Sequence, residues 1–209
     1  MTSYDVKGDI MNDRPFVPEN MFFQGCYNPA YEEQIRKCKD KCFEYNKLNP
    51  NDRETQSIML KEILGSAGKD AIIVPPFWCD YGYNIHVGDS FYANHNMLVQ
   101  DGLPVKFGNN VFIGPNCTFT TAEHPIDPEL RKKGVEIAKS ITVGNNVWIG
   151  TGSIILGGAT IGDNTVIGAG SVVTKPIPAN VVAVGVPCRV VREISEKDKT
   201  AYPFYSDIR

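Results

Sequence analysis

The chain has 209 residues, 42% hydrophobic and 22% charged, with a formal net charge of −3. That is enough apolar sequence to bury a core in one compact unit, and a mildly acidic balance without a basic stripe argues against nucleic acid as a partner. No apolar run approaches the roughly 18 residues of a membrane span. The opening MTSYDVKGDIMNDR lacks the basic and apolar regions of a signal peptide, so a cytoplasmic setting away from membranes is expected.

Residues 1–70 read as an N-terminal helical segment. Tyr31, Ile35, Cys38, Cys42 and Tyr45 recur at steps of three and four, as on one face of an amphipathic helix, and Leu48–Pro50 ends it. Asn51 with Glu54 has the spacing of a capping pair for a second helix carrying Ile58, Met59, Ile63 and Leu64, with Gly65 as its stop. Cys26, Cys38, Cys42, Cys79, Cys117 and Cys188 are scattered, with no CxxC and no Cys/His cluster. They are expected as reduced thiols, mostly buried as small hydrophobes, and no metal is required.

Residues 71–192 carry a different rhythm. Between Val143 and Ile177 an aliphatic residue returns every sixth position, at Val143, Ile149, Ile155, Ile161, Ile167 and Val173. The fifth position of each unit is also small or aliphatic: Val147, Ser153, Ala159, Thr165, Ser171 and Ile177. A period of six fits neither a helix nor one long strand; it fits short strands joined by bends at which Gly, Asn or Asp supply positive φ. Three units make a coil, and stacked coils pair each strand with its equivalent about 18 residues later. An ordinary sheet of hairpins is the alternative, but its hydrophobic spacing would vary with loop length.

Upstream, Val87, Ala93 and Val99 keep the step; QDGLP then intrudes, and the count resumes two residues late at Phe107, Ile113 and Phe119. The polar segment TTAEHPIDPELRKKGVEIAKS, at about 120–140, reads as a loop ejected from the stack, where functional groups tend to sit. Residues 193–209 form a small C-terminal extension. In it Ser195 and Asp198 have capping spacing for a brief helix, and Tyr202, Phe204 and Tyr205 are expected to cover an edge.

The hexapeptide run, CDYGYNIHVGDSFYANHN (79–96), TAEHP (121–125), NNVWIG (145–150), IGAGSVVTK (167–175) and GVPCRVVREI (185–194) together resemble the maltose and galactoside O-acetyltransferases. The likeness runs from about residue 15 to the C-terminus. It implies a mainly β fold, a left-handed parallel β-helix with the helical segment as an acceptor-side cap. It also implies a homotrimer binding acetyl-CoA between neighbouring subunits. Neither handedness nor trimer follows from the period itself.

Acetyl transfer to a hydroxyl needs a base, and an imidazole suits that task. Of the three histidines, His86 reads as a coil-corner residue, and His95 as either structural or lining the acceptor cleft. His124 lies in the ejected loop and matches the family's catalytic histidine in its TAEHP context. The resemblance assigns Asn94, Asp80 and Asp101 to acceptor binding; the Asn94 amide can hold the acceptor or the thioester carbonyl, and for Asp80 and Asp101 the alternative is a turn residue. Glu136 falls near the end of the active-site loop or is a solvated charge.

Thr151 and Ala169 stand 18 apart and so stack on successive coils, along a groove that the family uses for coenzyme A. Trp148 either walls that groove or simply packs. Thr174, Lys175, Arg189 and Arg192 match positions at the nucleotide end, or are surface residues. Cys117 is the rival nucleophile to a direct transfer, with its coil position pointing inward.

The helical segment departs from the family pattern, with Asn28 near a usual acid and Ile35 at a usual basic position, Arg36 being displaced by one; Ser140 stands where a proline is common. The expected activity is acetyl-CoA-dependent O-acetylation of a sugar hydroxyl. The competing readings are a hexapeptide acetyltransferase with a non-sugar acceptor (antibiotic, amino sugar or serine), a metal-dependent β-helix that would need a close His pair, and a non-catalytic β-helix.

Overall fold

The computed structural model describes residues 14, 15 and 17–200. The hexapeptide units build a left-handed parallel β-helix whose strands stack into three faces. The first face holds Phe77–Cys79, Met97–Gln100, Thr118–Thr120, Ile154–Leu156 and Val172–Val173; the second holds Ser66–Ala67, Ile85–Val87, Val105–Phe107, Ile141–Val143 and Thr160–Ile161. The third runs from Ile72–Ile73 through Tyr92–Ala93, Phe112–Ile113, Trp148–Ile149 and Val166–Ile167 to Val181–Val184, and an antiparallel strand, Arg189–Glu193, closes it.

The core is the inward ladder that the period predicts. Ile149, Ile155, Ile167 and Val173 are fully buried, as are Val147, Ser153, Thr165 and Ser171 at the fifth positions. Each large aliphatic contributes about 1.5–3 kcal/mol by leaving water. The buried hydroxyls bond back to the chain, Ser153 Oγ donating to the Gly150 carbonyl at 2.7 Å and Thr165 Oγ1 to that of Pro178 at 2.8 Å. A polar atom inside the coil is thus partnered rather than stranded.

Two of the three edges are uniform. Between the second and third faces, Asn110, Asn146, Asn164 and Asn180 all take φ of 55–60°. Each of the first three donates its side-chain amide to the next one's oxygen, at 3.2, 2.9 and 2.9 Å. Between the third and first faces, Asn96, Asn116, Gly152 and Gly170 provide the positive φ.

The third edge, from the first face to the second, takes every insertion. Below the loop the register is 20 residues per coil, as in Cys79 opposite Val99 and Ile85 opposite Val105; above it the step is 18, as in Ile154 opposite Val172, and shortens to 16 at the last coil, Val166 opposite Val182. Across the loop it is 36, Thr118 pairing with Ile154. Residues 80–84, 101–104 and 121–140 therefore project from one edge on consecutive coils. The ejected segment is itself ordered: Ala122–Glu123 and Val135–Ala138 form a hairpin around a short helix, Pro128–Lys132, and Phe22–Gln24 adds a third antiparallel strand.

Helix α1 (Pro29–Asn46) buries Tyr31, Cys38, Cys42 and Tyr45 against the first coils, where Cys38 and Cys42 meet Cys79 at 3.4 and 3.6 Å. Ile35 is half-buried at the end of that face. Helix α2 (Arg53–Ile63) starts one residue later than the Asn51/Glu54 spacing suggests: Asp52 caps it, accepting from Thr55 N at 3.1 Å. Its buried face is Gln56, Leu60 and Ile63, so Ile58 faces solvent, because the helix packs by its turn phase and not by apolarity alone. Near the C-terminus Ser195 N donates to Asp198 Oδ2 at 2.8 Å at the start of Glu196–Thr200. Tyr202, Phe204 and Tyr205 lie outside the described residues. Among the described residues no helix is long and apolar enough to cross a membrane.

Candidate active site

The insertion edge gathers the acidic and imidazole side chains. Asp80 comes from the first insertion, Asp101 from the second, His124 directly follows the first strand of the hairpin, and Glu136 lies in its second strand. Asp80, His124 and Glu136 line a cavity of about 200 Å³ whose apolar wall is Val17, Phe23 and Ile35.

The ring of His124 is held by its surroundings. Its Nδ1 lies 3.4 Å from the Val135 carbonyl oxygen, which can only accept, so the contact is a hydrogen bond in the tautomer that carries its proton on Nδ1 and leaves Nε2 free to act as a base. Nε2 is 3.9 Å from Glu136 Oε1, too far for a hydrogen bond but close enough to stabilise an imidazolium. Glu136 Oε1 accepts from Cys26 Sγ at 3.0 Å. Gly25 makes this approach possible, since a Cβ there would sit 2.0 Å from Glu136 Oε2. Glu123, the neighbour of His124 in sequence, instead pairs with Lys139 at 3.2 Å.

Asp101 does not face the cavity as a free carboxylate. It is fully buried; Oδ1 accepts from Asp80 N at 3.0 Å and Tyr81 N at 2.9 Å, and Asn84 donates to its carbonyl. Oδ2 is buried without a partner among the described residues. Burial, with the nearby charge of Asp80, pushes its carboxyl up to about 7. Asp101 thus straps one insertion to the next. Burial also raises Asp80, against which Lys39 at 3.8 Å pulls downward.

Other sequence-predicted residues lie elsewhere on the chain. Asn94 and His95 occupy the edge between the third and first faces. There Asn94 Oδ1 accepts from His95 N at 2.8 Å, and the His95 ring bonds the Pro75 carbonyl at 2.6 Å. Thr151 and Ala169 lie on that same edge, exposed and in register, with Gly170 N bonded to the Thr151 carbonyl at 2.8 Å. Gly150 allows the coils to close there, because a Cβ would meet Ala169 N at 2.6 Å. One subunit therefore presents Asn94 with Thr151 and Ala169 on one edge and His124 on another.

Thr174 and Lys175 are exposed on the insertion edge, two coils beyond the hairpin, so they do not prolong the Thr151–Ala169 line within the chain. Arg189 is exposed on the closing strand and donates to the Cys188 carbonyl at 2.7 Å; Arg192 is bidentate to Asp198 at 2.9 and 2.7 Å. Trp148 is 54% exposed on the outside of the third face, beside Phe112. In the helical segment, Asn28 caps α1, accepting from Ala30 N at 3.1 Å, and Arg36 reaches Asp40 in solvent. Ile35 alone of these enters the cavity.

The rival thiol lies inside the coil: Cys117 is fully buried and donates to the Gly150 carbonyl at 3.3 Å. The cysteine that sequence reasoning missed is Cys26. Burial, and then the Glu136 carboxylate, push its thiol up to about 11, so little thiolate exists near neutrality. His86 sits 3.1 Å from Ser66 Oγ, and the three histidines do not converge on one point.

Residues 140–175 match the family description "Bacterial transferase hexapeptide (six repeats)", and residues 23–68 match "Maltose acetyltransferase hexapeptide capping motif". Galactoside O-acetyltransferase of Escherichia coli (strain K12) is 49% identical over 171 residues, covering 82% of this chain and 84% of its own. The chain belongs to the galactoside and maltose O-acetyltransferase family. A solved galactoside acetyltransferase in complex with coenzyme A superposes with a TM-score of 0.83 at 46% identity, over 86% of this chain and 90% of that one. A maltose O-acetyltransferase from Clostridium difficile 630 gives 0.79 at 45%, over 81% and 90%.

Proposed function

We propose that this acetyltransferase moves the acetyl group of acetyl-CoA to a sugar hydroxyl by direct attack in a ternary complex. His124 Nε2 takes the hydroxyl proton as the acceptor oxygen bonds to the thioester carbon, and the tetrahedral intermediate then expels the CoA thiolate, which recovers that proton. The observation that carries this reading is the placement of His124, with Nδ1 turned to the Val135 carbonyl and Nε2 3.9 Å from Glu136 in a cavity that Asp80 also lines. Glu136 stabilises the imidazolium, and Asp80 orients acceptor hydroxyls as a hydrogen-bond acceptor. Asp101 acts behind them by holding the Asp80 insertion.

The coenzyme runs along the Thr151–Ala169 edge, where Asn94 stands at the thioester end, and Lys175 and Arg189 offer positive charge to its phosphates. A single chain keeps that edge apart from His124, so the working site is formed between copies in a homotrimer. Supporting this are the outward apolar residues flanking the coenzyme edge: Trp78, Leu98 and Ile154 on the first face, Phe112 and Trp148 on the third. Exposed apolar stripes of that kind mark subunit contacts. Ile35 with Phe23 on the cavity wall favours a glycoside bearing an apolar group over a free disaccharide.

The test is acetyl-CoA-dependent CoA release across glucosides, galactosides, maltose, amino sugars, serine and chloramphenicol, with His124→Ala beside the parent. Saturable activity on a sugar, reduced about 10²–10⁴-fold in kcat by the substitution, is expected. Undiminished activity in His124→Ala would sink the base assignment, and activity confined to a non-sugar would overturn the acceptor class.

A further inference from the structure

The three side chains around the base have a second chemistry. Cys26, His124 and Glu136 each offer one donor atom, and these atoms all lie within 4.8 Å of one another. The Cys26 Sγ to Glu136 Oε1 distance is 3.0 Å and that from His124 Nε2 to the same oxygen is 3.9 Å. Around a tetrahedral zinc ion, with bonds of about 2.0–2.3 Å, donors stand roughly 3.3–3.6 Å apart. The third separation, Cys26 to His124, is bounded at 4.8 Å. Shifts of about half an ångström to just over one ångström, within the reach of side-chain rotation, therefore convert the cluster into a three-ligand site.

We propose that Cys26, His124 and Glu136 form a capture site for zinc(II) that switches off acetyl transfer by occupying the nitrogen that acts as base. The ligand set is of the mixed sulfur, nitrogen and oxygen kind that zinc accepts, and two of its members, His124 and Glu136, line the cavity through which an ion would enter. The ring is already oriented as a metal ligand requires: Nδ1–H is directed at a backbone carbonyl, leaving Nε2 to bind. Among the described residues, His124 is the only basic side chain within ion-pair distance of Glu136, so no Lys or Arg competes with the cation there. Lys139 and Lys39 are turned to Glu123 and Asp80. Inhibition rests on the reading of His124 as the base; the site itself does not.

The experiment uses the full chain with zinc, and with cobalt(II) as a spectroscopic stand-in. Zinc binding is measured by competition with a chromophoric chelator, and acetyl transfer is followed as a fraction of each variant's own activity. Expected are a Cys26-dependent thiolate-to-cobalt charge-transfer band and inhibition reversed by a chelator. Cys26→Ala should weaken both binding and inhibition roughly 100-fold, and Glu136→Gln should weaken binding as well. Subtracting the Cys26→Ala signal removes any metal held by the buried Cys38, Cys42 and Cys79 thiols. Absence of binding at 100 micromolar zinc, or binding equal in Cys26→Ala, overturns the site whatever the enzyme's activity. Cys26-dependent binding with full activity retained overturns the inhibitory half, while the role of His124 as base is decided separately by His124→Ala.

Discussion

Asp101→Asn tests how the insertion edge is held together, and its signature is a change in how stability depends on pH. The Asp101 carboxyl is pushed by burial from its ordinary 3.8 up to about 7. Between those values the folded chain binds one proton more than the unfolded chain, so the folded state loses stability as pH rises, by about 1.36 kcal/mol per unit. The contribution is present in full below pH 3.8, is gone above about 7, and amounts to roughly 2–3 kcal/mol between pH 5 and pH 8. The asparagine amide keeps an oxygen for the Asp80 and Tyr81 amides and carries no titrating proton. Chemical denaturation of parent and variant at matched protein concentration across pH 5–8 isolates the term, because other titrating groups cancel in the difference. Relative to the parent, the variant should gain about 2–3 kcal/mol on going from pH 5 to pH 8, whatever its absolute stability. Parallel pH profiles would refute the claim that Asp101 holds a proton in the folded protein.

Two further substitutions probe the cavity. Gly25→Ala places a Cβ 2.0 Å from Glu136 Oε2, so Glu136 must swing from His124; kcat should fall about tenfold with the melting temperature nearly kept, and an unchanged kcat would remove Glu136 from the reaction. Ile35→Arg exchanges an apolar wall residue for a cation facing Asp80 and Glu136. The KM ratio between an apolar-substituted glycoside and maltose should shift about tenfold toward maltose, and a constant ratio would show that Ile35 does not meet the acceptor.

Much of this architecture was legible because coil packing repeats. A residue that must be buried every sixth step leaves a mark that no helix or hairpin imitates, and Ile149, Ile155 and Ile167 are buried where the period puts them. The slip at QDGLP and the polar run after Phe119 located two of the three insertions on the edge that carries the site. The helices were less legible, since apolar spacing alone did not distinguish Ile58, which faces water, from Leu60, which does not. Cys26 was invisible for a different reason. It reaches His124 only because Phe22–Gln24 pairs with Val135–Ile137, over 100 residues later in the chain, and antiparallel pairing across such a separation leaves no local pattern. Asp101 stands out in the sequence at the slip of the count, but nothing local there shows that its carboxyl oxygen accepts from the Asp80 and Tyr81 backbone amides.

The edge that takes the insertions has a consequence for how such a protein can change. Coils of 20, 36 and 18 residues stack with their strands still paired, since the extra length leaves and re-enters at one corner. The opposite corner, with its chain of asparagine amides, cannot change length without breaking a hydrogen bond on each side. The molecule is therefore stiff along one seam and open to lengthening along another. A segment such as 121–140 can be exchanged for one of different length or composition, re-specifying what the catalyst recognises, while the column of aliphatic side chains behind it stays as it is.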